Sequence, residues 1–195
     1  MKSDGTPTYN FACVIDDAED VITHVIRGDD HISNTPKQIL LYKALGFPMP
    51  LFAHIPLILS KDGGRLSKRH GATSIFEYKN MGYTPEALVN YLALMGWSPG
   101  GDKEIMPLDE AIKLFDVKDV NKTGATFDID KLSWINGQYI KNMKLDELVA
   151  RTASFLKEKG IGLENFDRDR WLEAVNIYKE RTRTLEDFVG VYNIF

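Results

Sequence analysis

The sequence predicts an α/β fold in its first part and a mostly α fold in the remainder. Val21–Arg27 is short, β-branched and stopped by Gly28, which is typical of a strand. A helical stretch and a second apolar stretch, Leu51–Leu59, follow at the spacing of a βαβ unit, which places both strands in one parallel sheet. Beyond residue 76 the apolar residues recur at helical spacing instead. We therefore expect the second half of a Rossmann-type, doubly wound parallel sheet, followed by helices.

The segment before the first strand has two interpretations. Tyr9–Ile15 is largely apolar, and over so short a run periodicity does not separate a helix from a buried strand. Both interpretations therefore stay open for it.

Between the two strands, a helix start is expected at Thr35-Pro36-Lys37-Gln38. Thr35 can cap, proline suits the first helical position, and Gln38 can reach back to complete a capping box. The helix Ile39–Leu45 then ends at Gly46, a residue typical of the position after a helix. Pro56 interrupts the second strand, and since proline cannot donate to a ladder it marks a strand end or an edge.

The remaining chain reads as successive helices. Thr84-Pro85-Glu86 opens one of them, and the residues expected on its buried face are Ala87, Leu88, Tyr91, Leu92 and Met95. Further helices are predicted at Leu108–Phe115, Asp130–Ile140, Leu145–Lys159 and from Trp171 to the last residue.

Composition excludes several classes of function. The 195 residues are 44% hydrophobic and 27% charged, the balance of a soluble globular protein. No apolar run approaches the ~20 residues of a membrane span, and no charged-then-apolar leader opens the chain, so we expect a cytoplasmic protein without a membrane partner. A net charge of −4 does not predict a broad nucleic-acid surface, so an RNA partner would need local positive patches. Cys13 is the only cysteine, which excludes an internal disulfide and a multi-thiolate metal site; no metal site is expected.

The residues that can carry chemistry begin with a basic loop, Arg65-Leu66-Ser67-Lys68-Arg69. It follows Gly63-Gly64 and a strand, and ligands of open α/β sheets gather at the carboxyl ends of strands. A cationic loop there could close over a polyphosphate and neutralise developing charge. Taken alone, the loop is more simply interpreted as a solvated basic turn.

Its wider context favours the first interpretation. The loop resembles the KMSKS signature of class I aminoacyl-tRNA synthetases, in the Leu-Ser-Lys-Arg form of the glutamate and glutamine branch. Other stretches also resemble the glutamyl-tRNA synthetase family, in the same order and spacing, and the resemblance covers essentially the whole chain. They are 4–12, 23–31, 34–36 with Gln38, 83–88 with 90–92, 96–98, 127–128, 131–132 and 134–136.

The resemblance implies roles for individual residues. Tyr9, Cys13 and Arg27 would bind the glutamate substrate, although some family members carry Asn at the position of Cys13. An arginine fork at a strand end suits a carboxylate, whereas the simpler alternative pairs Arg27 with a nearby aspartate. In a helix, Cys13 would lie one turn from Tyr9 and line the same pocket.

The same resemblance implies a nucleotide site. Asp30 and His31 would lie near the ribose and adenine of ATP, although an aspartate there could equally cap a helix. Ser67 and Lys68 would be the catalytic residues that act on the phosphates. The full set of implied ATP-binding residues is Asp30, His31, Leu57, Ile58, Arg65, Ser67, Lys68 and Arg69. His24, His54 and His70 are interpreted as structural or solvated.

The implied reaction is activation of L-glutamate by ATP, with Mg²⁺ on the phosphates, and transfer of the glutamyl group to the 3′ end of tRNA(Glu). The chain contains no His-Ile-Gly-His-type segment, which the family places upstream, so we expect an internal fragment that is inactive alone. A monomer is expected. The alternatives are a glutaminyl-tRNA synthetase, a short glutamyl transferase that modifies a tRNA base, and a non-catalytic tRNA-binding or regulatory module. The expected regions are residues 1–75 of the catalytic domain, a stem-contact region at 76–143 and the start of a helical anticodon-binding region at 144–195.

Overall fold

A computed structural model of the protein describes residues 2–66, 74–101, 103–162 and 167–194. The chain divides into two compact units. The first, called here the α/β unit, contains Met1–Leu57 and Val120–Ala125. The second, the helical unit, contains Ile58–Asp119 and Thr126–Phe195. The expected three-part division at residues 75 and 143 stays a prediction.

The α/β unit is built from two helices and a pair of parallel strands. In order these are α1 (Tyr9–Glu19), β1 (His24–Gly28), α2 (Thr35–Leu45) and β2 (Leu51–Ile55), with a 3₁₀ turn at Asp29–His31 after β1. The register pairs His24 with Leu51 and Gly28 with Ile55, so both strands end at the same edge. The two helices pack against each other, and Val14 of α1 and Tyr42 of α2 are fully buried. The predicted βαβ unit is therefore confirmed.

The first helix and first strand differ in detail from the prediction. The segment from Tyr9, left open between helix and strand, is helix α1. The first strand begins at His24 rather than Val21, because Val21 and Ile22 close the end of α1 through hydrogen bonds to Ala18 and Asp17.

The second strand and the start of α2 also differ. The second strand ends at Ile55, directly before Pro56. The predicted capping box at Thr35 is wrong, because Thr35 is already the first helical residue and Gln38 points to Arg27 instead of back along the helix.

The helical unit follows in seven helices within the described residues. They are α3 (Ile75–Asn80), α4 (Pro85–Gly96), α5 (Leu108–Leu114), α6 (Ile129–Asn142), α7 (Leu145–Glu158), α8 (Arg168–Tyr178) and α9 (Asp187–Tyr192), with a 3₁₀ turn at Val117–Asp119. Helix α3 was not predicted, although Ser74 and Glu77 form the capping box that its sequence contains. Thr84 caps α4 as expected, but Leu92 is 41% exposed and lies outside the buried face. The last stretch is two helices rather than one, ending at Tyr192.

Most of the apolar core lies in the helical unit. Helices α7, α8 and α9 bury a cluster around Leu148, Leu156, Trp171, Val175 and Phe188. None of the described helices is long and apolar enough to cross a membrane. The predicted class, α/β followed by mostly α, is confirmed.

One buried amide connects three parts of the helical unit. Asn136 of α6 is fully buried and accepts hydrogen bonds from the backbone N–H and the hydroxyl of Thr84, at 2.8 and 2.9 Å. Its own amide donates to the carbonyl of Arg183 at 2.5 Å. The same region contains a close backbone approach, because the N–H of Leu185 donates to the carbonyl of Gly82 at 2.8 Å. A Cβ on Gly82 would lie 2.5 Å from the nitrogen of Glu186, so only glycine fits there.

Candidate functional site

A cluster of polar side chains, here called the Arg27 cluster, lies within the α/β unit near the carboxyl end of β1. Helix α1, the turn after β1, helix α2 and strand β2 all contribute to it. Its members are Tyr9, Asn10, Cys13, Arg27, His31, Asn34, Thr35, Gln38 and His54.

Arg27 is held by neutral groups. One of its terminal nitrogens, Nη2, donates to Thr35 Oγ1 at 2.9 Å and to Gln38 Oε1 at 2.7 Å. The guanidinium carbon lies 5.6 Å from the centre of the Phe52 ring, within reach of a cation–π contact. The alternative in which Arg27 pairs with a nearby aspartate is not observed, since no ion pair joins it to a carboxylate in the described part of the chain. Its Nε is buried and has no hydrogen-bond partner.

This arrangement prepares a site for an anion. A buried N–H without a partner costs free energy, and an arginine fork matches a carboxylate with two parallel hydrogen bonds. Its two described hydrogen-bond partners, Thr35 and Gln38, carry no charge. The cluster can therefore accept a carboxylate without first breaking an ion pair.

Tyr9 and Cys13 lie one turn apart on α1 and are neighbours of Arg27. Hydrogen bonding to Cys13 raises the pKa of the Tyr9 hydroxyl, partial burial acts in the same direction, and the positive charge of Arg27 opposes both. The Tyr9 hydroxyl lies 3.3 Å from His31 Nδ1, and the two rings are 5.8 Å apart. Tyr9 is 52% exposed, so this side of the cluster is open to solvent. The structure thus brings together the three residues predicted for glutamate, while their roles remain predictions.

Three amide side chains and a threonine complete the cluster, and the sequence alone predicts no site role for them. Gln38, 2% exposed, donates from Nε2 to Asn10 Oδ1 at 3.1 Å. Asn10 in turn donates to Asn34 at 3.3 Å, and Asn34 lies 3.3 Å from His31 Nδ1. No local sequence signal identifies this set, because its members come from separate elements.

His54 also lies within the cluster. Its Nε2 lies 2.9 Å from the hydroxyl of Thr35, the same oxygen that accepts from Arg27. The interpretation of His54 as structural agrees with this position, because the residue supports Thr35 from β2.

Three residues predicted for the nucleotide lie beyond the carboxyl ends of β1 and β2. Asp30 and His31 form part of the 3₁₀ turn, with His31 Nε2 4.0 Å from Asp30 Oδ1. A Cβ on Gly28 would lie 2.6 Å from Asp30 Oδ1 and 3.3 Å from Leu57 Cδ2, so both side chains lie close over the glycine. Ligands of parallel α/β sheets bind at this edge.

The remaining predicted nucleotide residues belong to the helical unit or lie outside the described residues. Ile58 accepts a backbone hydrogen bond from Leu66 at 3.1 Å, and Leu59 bridges Arg65 in antiparallel fashion, so 58–66 form a hairpin. The turn at its tip contains Gly63 and Gly64, which precede the basic loop. Ser67, Lys68 and Arg69, the predicted catalytic and phosphate-binding residues, lie outside the described residues.

The hairpin is anchored within the helical unit. The N–H of Phe127 donates to the carbonyl of Leu59 at 2.8 Å, and Lys61 lies 3.4 Å from the carboxylates of both Asp128 and Asp130. The hydroxyl of Tyr91 accepts from the N–H of Asp128 at 2.6 Å. The hairpin is therefore tied to the beginning of α6, which is also held by Tyr91 from the middle of α4. Across the described ranges, no group of three or more His, Cys, Asp or Glu side chains could hold a metal ion.

The parallel strands, the cationic site at their carboxyl end and the hairpin leading to a basic loop are the features of a class I synthetase catalytic domain. The chain belongs to this family: residues 1–134 match the tRNA synthetases class I (E and Q), catalytic domain.

The relatives are of the glutamate type. Over all 195 residues the chain is 49% identical to glutamate–tRNA ligase 2 of Caldicellulosiruptor saccharolyticus, and over 167 residues, 86% of the chain, 56% identical to glutamate–tRNA ligase of Heliobacterium modesticaldum. The crystal structure of a glutamate tRNA ligase from Elizabethkingia meningosepticum, in complex with its amino acid, superposes with a TM-score of 0.85 at 38% identity. That match covers 99% of this chain and 41% of the other. The chain spans 40% of the Caldicellulosiruptor protein and 34% of the Heliobacterium protein.

Proposed function

We propose that this chain is part of a glutamate–tRNA ligase, which activates L-glutamate with ATP to glutamyl-adenylate and transfers the glutamyl group to the 3′ end of tRNA(Glu). Family membership and the relatives named glutamate–tRNA ligase support the reaction class. Within the chain, the observation that carries the proposal is Arg27, a cation held by neutral groups with a buried Nε that has no partner. Such a group selects a carboxylate-bearing substrate.

The glutamate site of this proposal contains Tyr9, Cys13 and Arg27. Arg27 binds a substrate carboxylate, Tyr9 contributes a hydroxyl at the open side of the pocket, and the Cys13 thiol lies against Tyr9. A thiol is a weak hydrogen-bond donor, so Cys13 contributes more to shape than to binding energy.

The residues implied to bind the nucleotide begin with Asp30, His31, Leu57 and Ile58. Asp30 and His31 offer polar groups to the ribose and adenine, and Leu57 and Ile58 offer backbone groups to the adenine edge. The basic loop contributes to the phosphates the charges of Arg65, Lys68 and Arg69 and the hydroxyl of Ser67. Catalysis of this kind depends on positioning and on stabilisation of developing charge. Mg²⁺ would be bound by the ATP phosphates.

We propose further that the 195-residue chain is inactive alone, because it lacks a His-Ile-Gly-His-type segment. The parent protein is expected to be a monomer in the cytoplasm. ATP–pyrophosphate exchange, measured on the 195-residue chain and on the full-length protein that contains it, tests this directly. Exchange at equal rates would contradict the proposal.

Replacing the arginine tests the glutamate site. Arg27→Gln removes a charge-assisted hydrogen bond of about 1.5–3 kcal/mol, so glutamate should bind about 10- to 100-fold more weakly. The measurement is calorimetric titration of the full-length protein with L-glutamate. Arg170→Gln makes the same chemical change at the exposed start of α8 and should leave binding unchanged. Equal affinity in the Arg27→Gln protein and the unaltered protein would remove Arg27 from the site.

A further inference from the structure

We propose that Gln38, Asn10 and Asn34 are positioning residues that carry a one-way chain of hydrogen bonds from Arg27 to His31, and that this chain keeps the His31 proton on Nε2. Four hydrogen-bond distances within the α/β unit, together with the donor and acceptor properties of the groups, define this series of bonds.

The direction of the chain is set at Arg27. A guanidinium only donates hydrogen bonds, so the Gln38 atom 2.7 Å from Arg27 Nη2 must be the carbonyl oxygen. The NH₂ group of Gln38 then faces Asn10 at 3.1 Å, and the Asn10 atom that receives it must be an oxygen. Reversing the Gln38 amide would place donor against donor and acceptor against acceptor. Since Gln38 is 2% exposed, water does not relieve that arrangement.

The same logic continues to the histidine. With its oxygen turned to Gln38, Asn10 donates from Nδ2 to Asn34 Oδ1 at 3.3 Å. Asn34 therefore presents its NH₂ group to His31 Nδ1, also at 3.3 Å. A ring nitrogen that accepts cannot carry a proton, so Nδ1 is the bare nitrogen and a neutral His31 is protonated on Nε2.

Two neighbours agree with this tautomer. The Tyr9 hydroxyl lies 3.3 Å from the same Nδ1 and can donate to it. On the other side of the ring, Nε2 lies 4.0 Å from Asp30 Oδ1, so a carboxylate lies near the nitrogen that would carry the proton. On the proposed function, the chain joins the glutamate-binding Arg27 to the nucleotide-binding His31.

The His31 tautomer can be measured without any ligand. The ¹⁵N chemical shifts of the imidazole separate a protonated from a bare nitrogen, and loss of the signals in His31→Gln assigns them. Spectra are recorded on the full-length protein, well above the ordinary histidine pKa of about 6.5. The expected result is a protonated Nε2 and a bare Nδ1.

Gln38→Glu should reverse the direction of the hydrogen bonds between residue 38 and His31. A carboxylate still accepts from Arg27 but cannot donate to Asn10, so the amides of Asn10 and Asn34 turn over. The Asn34 oxygen then faces His31 Nδ1, which becomes the protonated nitrogen. A purely structural role for Gln38 predicts no such exchange of the two nitrogen signals.

A second variant covers the case in which Gln38→Glu does not fold. Asn34→Asp replaces only the last donor with an acceptor and should also move the proton to Nδ1. Gln138→Glu, the same change on α6 in the helical unit, should leave the His31 spectrum unaltered. A proton on Nδ1 in the unaltered protein, or on Nε2 in both folded variants, overturns the proposal.

A ligand experiment separates this proposal from the proposed function. L-glutamate should shift both the Arg27 Nε signal and the His31 ring signals, and Gln38→Met, which can neither donate nor accept, should abolish the His31 shift alone. An unchanged His31 shift in that variant overturns the link between the two residues. If L-glutamate shifts no signal in the unaltered protein, the proposed function is contradicted. The tautomer measurement then still tests the series of hydrogen bonds from Arg27 to His31.

Discussion

Buried amide side chains have different partners in the two units. In the helical unit, Asn136 binds the backbone of Thr84 and Arg183 together with one hydroxyl. In the α/β unit, Gln38 binds only side chains, a guanidinium and another amide. An amide that binds backbone groups holds segments of the chain in place. An amide that binds charged or titratable side chains determines where protons and charges lie. We infer that the first kind of amide maintains the fold and the second prepares a site.

Unfolding of the two units can be followed with different probes. All three tryptophans, Trp97, Trp134 and Trp171, belong to the helical unit. Tryptophan fluorescence therefore reports unfolding of that unit, and amide hydrogen exchange in α1 reports stability in the α/β unit. Each unit can be perturbed and followed separately.

The largest effect is expected from Asn136→Ala. The substitution leaves the Thr84 N–H, the Thr84 hydroxyl and the Arg183 carbonyl without their partner in a buried place. An unsatisfied buried group costs about 1–3 kcal/mol, so with partial relaxation we expect a loss of about 3–4 kcal/mol in the free energy of unfolding. Urea unfolding followed by tryptophan fluorescence measures it.

Asn142→Ala is the matched control for this prediction. Asn142 is an exposed residue of the same helix whose side chain donates only to the carbonyl of Gln138, one turn away. Its removal should change stability by less than about 0.5 kcal/mol. Similar losses from both asparagines would contradict the fold-maintaining role of the buried Asn136 amide.

The dependence of stability on alkaline pH tests the burial of Tyr78 in the helical unit. Burial, reinforced by the neighbouring Tyr91, Tyr83 and Glu77, raises the pKa of Tyr78 to about 12. In the unfolded chain a tyrosine titrates near 10, so between about pH 10 and 12 the unfolded state binds fewer protons. Stability from this group is complete below pH 10 and is lost as pH rises towards 12. We expect a loss on the order of 1–2 kcal/mol from Tyr78, after allowance for screening by solvent.

Tyr78→Phe separates this contribution from those of the other tyrosines. Phenylalanine cannot ionise, so the decrease in urea midpoint between pH 10 and 12 should become shallower. An unchanged slope would show that Tyr78 ionises in the folded protein as readily as in the unfolded one.

Elements set by local chemistry could be predicted from the sequence. The Thr84-Pro85 start of α4 and the break before Pro56 depend on a cap and on a missing N–H, and both occur where expected. Helix α3 was not predicted, although Ser74 and Glu77 form its capping box. The sequence therefore does contain a local signal for this helix.

Features set by tertiary partners could not be predicted. Thr35 was expected to cap α2, but its hydroxyl instead receives Arg27, eight residues away. Gln38 and Asn10 are separated by 28 positions, and no local sequence pattern around either residue predicts their contact. The family resemblance identifies Tyr9 and Arg27 but not the amides that connect with them. Amide networks depend on side-chain geometry rather than on local sequence pattern.

The smallest expected effect concerns backbone strain in the α/β unit. Val21 is the only described non-glycine residue with positive φ, at 56°, and it closes α1 with the hydrogen bonds Val21 N–H to Ala18 and Ile22 N–H to Asp17. That position favours glycine, because a β-branched residue is strained in the left-handed region. Val21 is 78% exposed, so its side chain contributes little packing to offset the strain. Val21→Gly should therefore stabilise the unit by about 1 kcal/mol, measured as slower amide exchange in α1.

The end of α2 provides the reciprocal experiment. Gly46 occupies the equivalent position with φ 68°, and a Cβ there would meet nothing within 4 Å. Gly46→Val thus adds strain without a clash and should destabilise the α/β unit by about 1 kcal/mol, while the tryptophan-monitored transition of the helical unit stays unchanged. Val21→Gly could leave amide exchange in the α/β unit unchanged while Gly46→Val accelerates it. That result would show that the backbone at Val21 is not strained in the folded protein. Opposite changes of similar size would show that these two helix ends differ only in the residue that occupies the left-handed position.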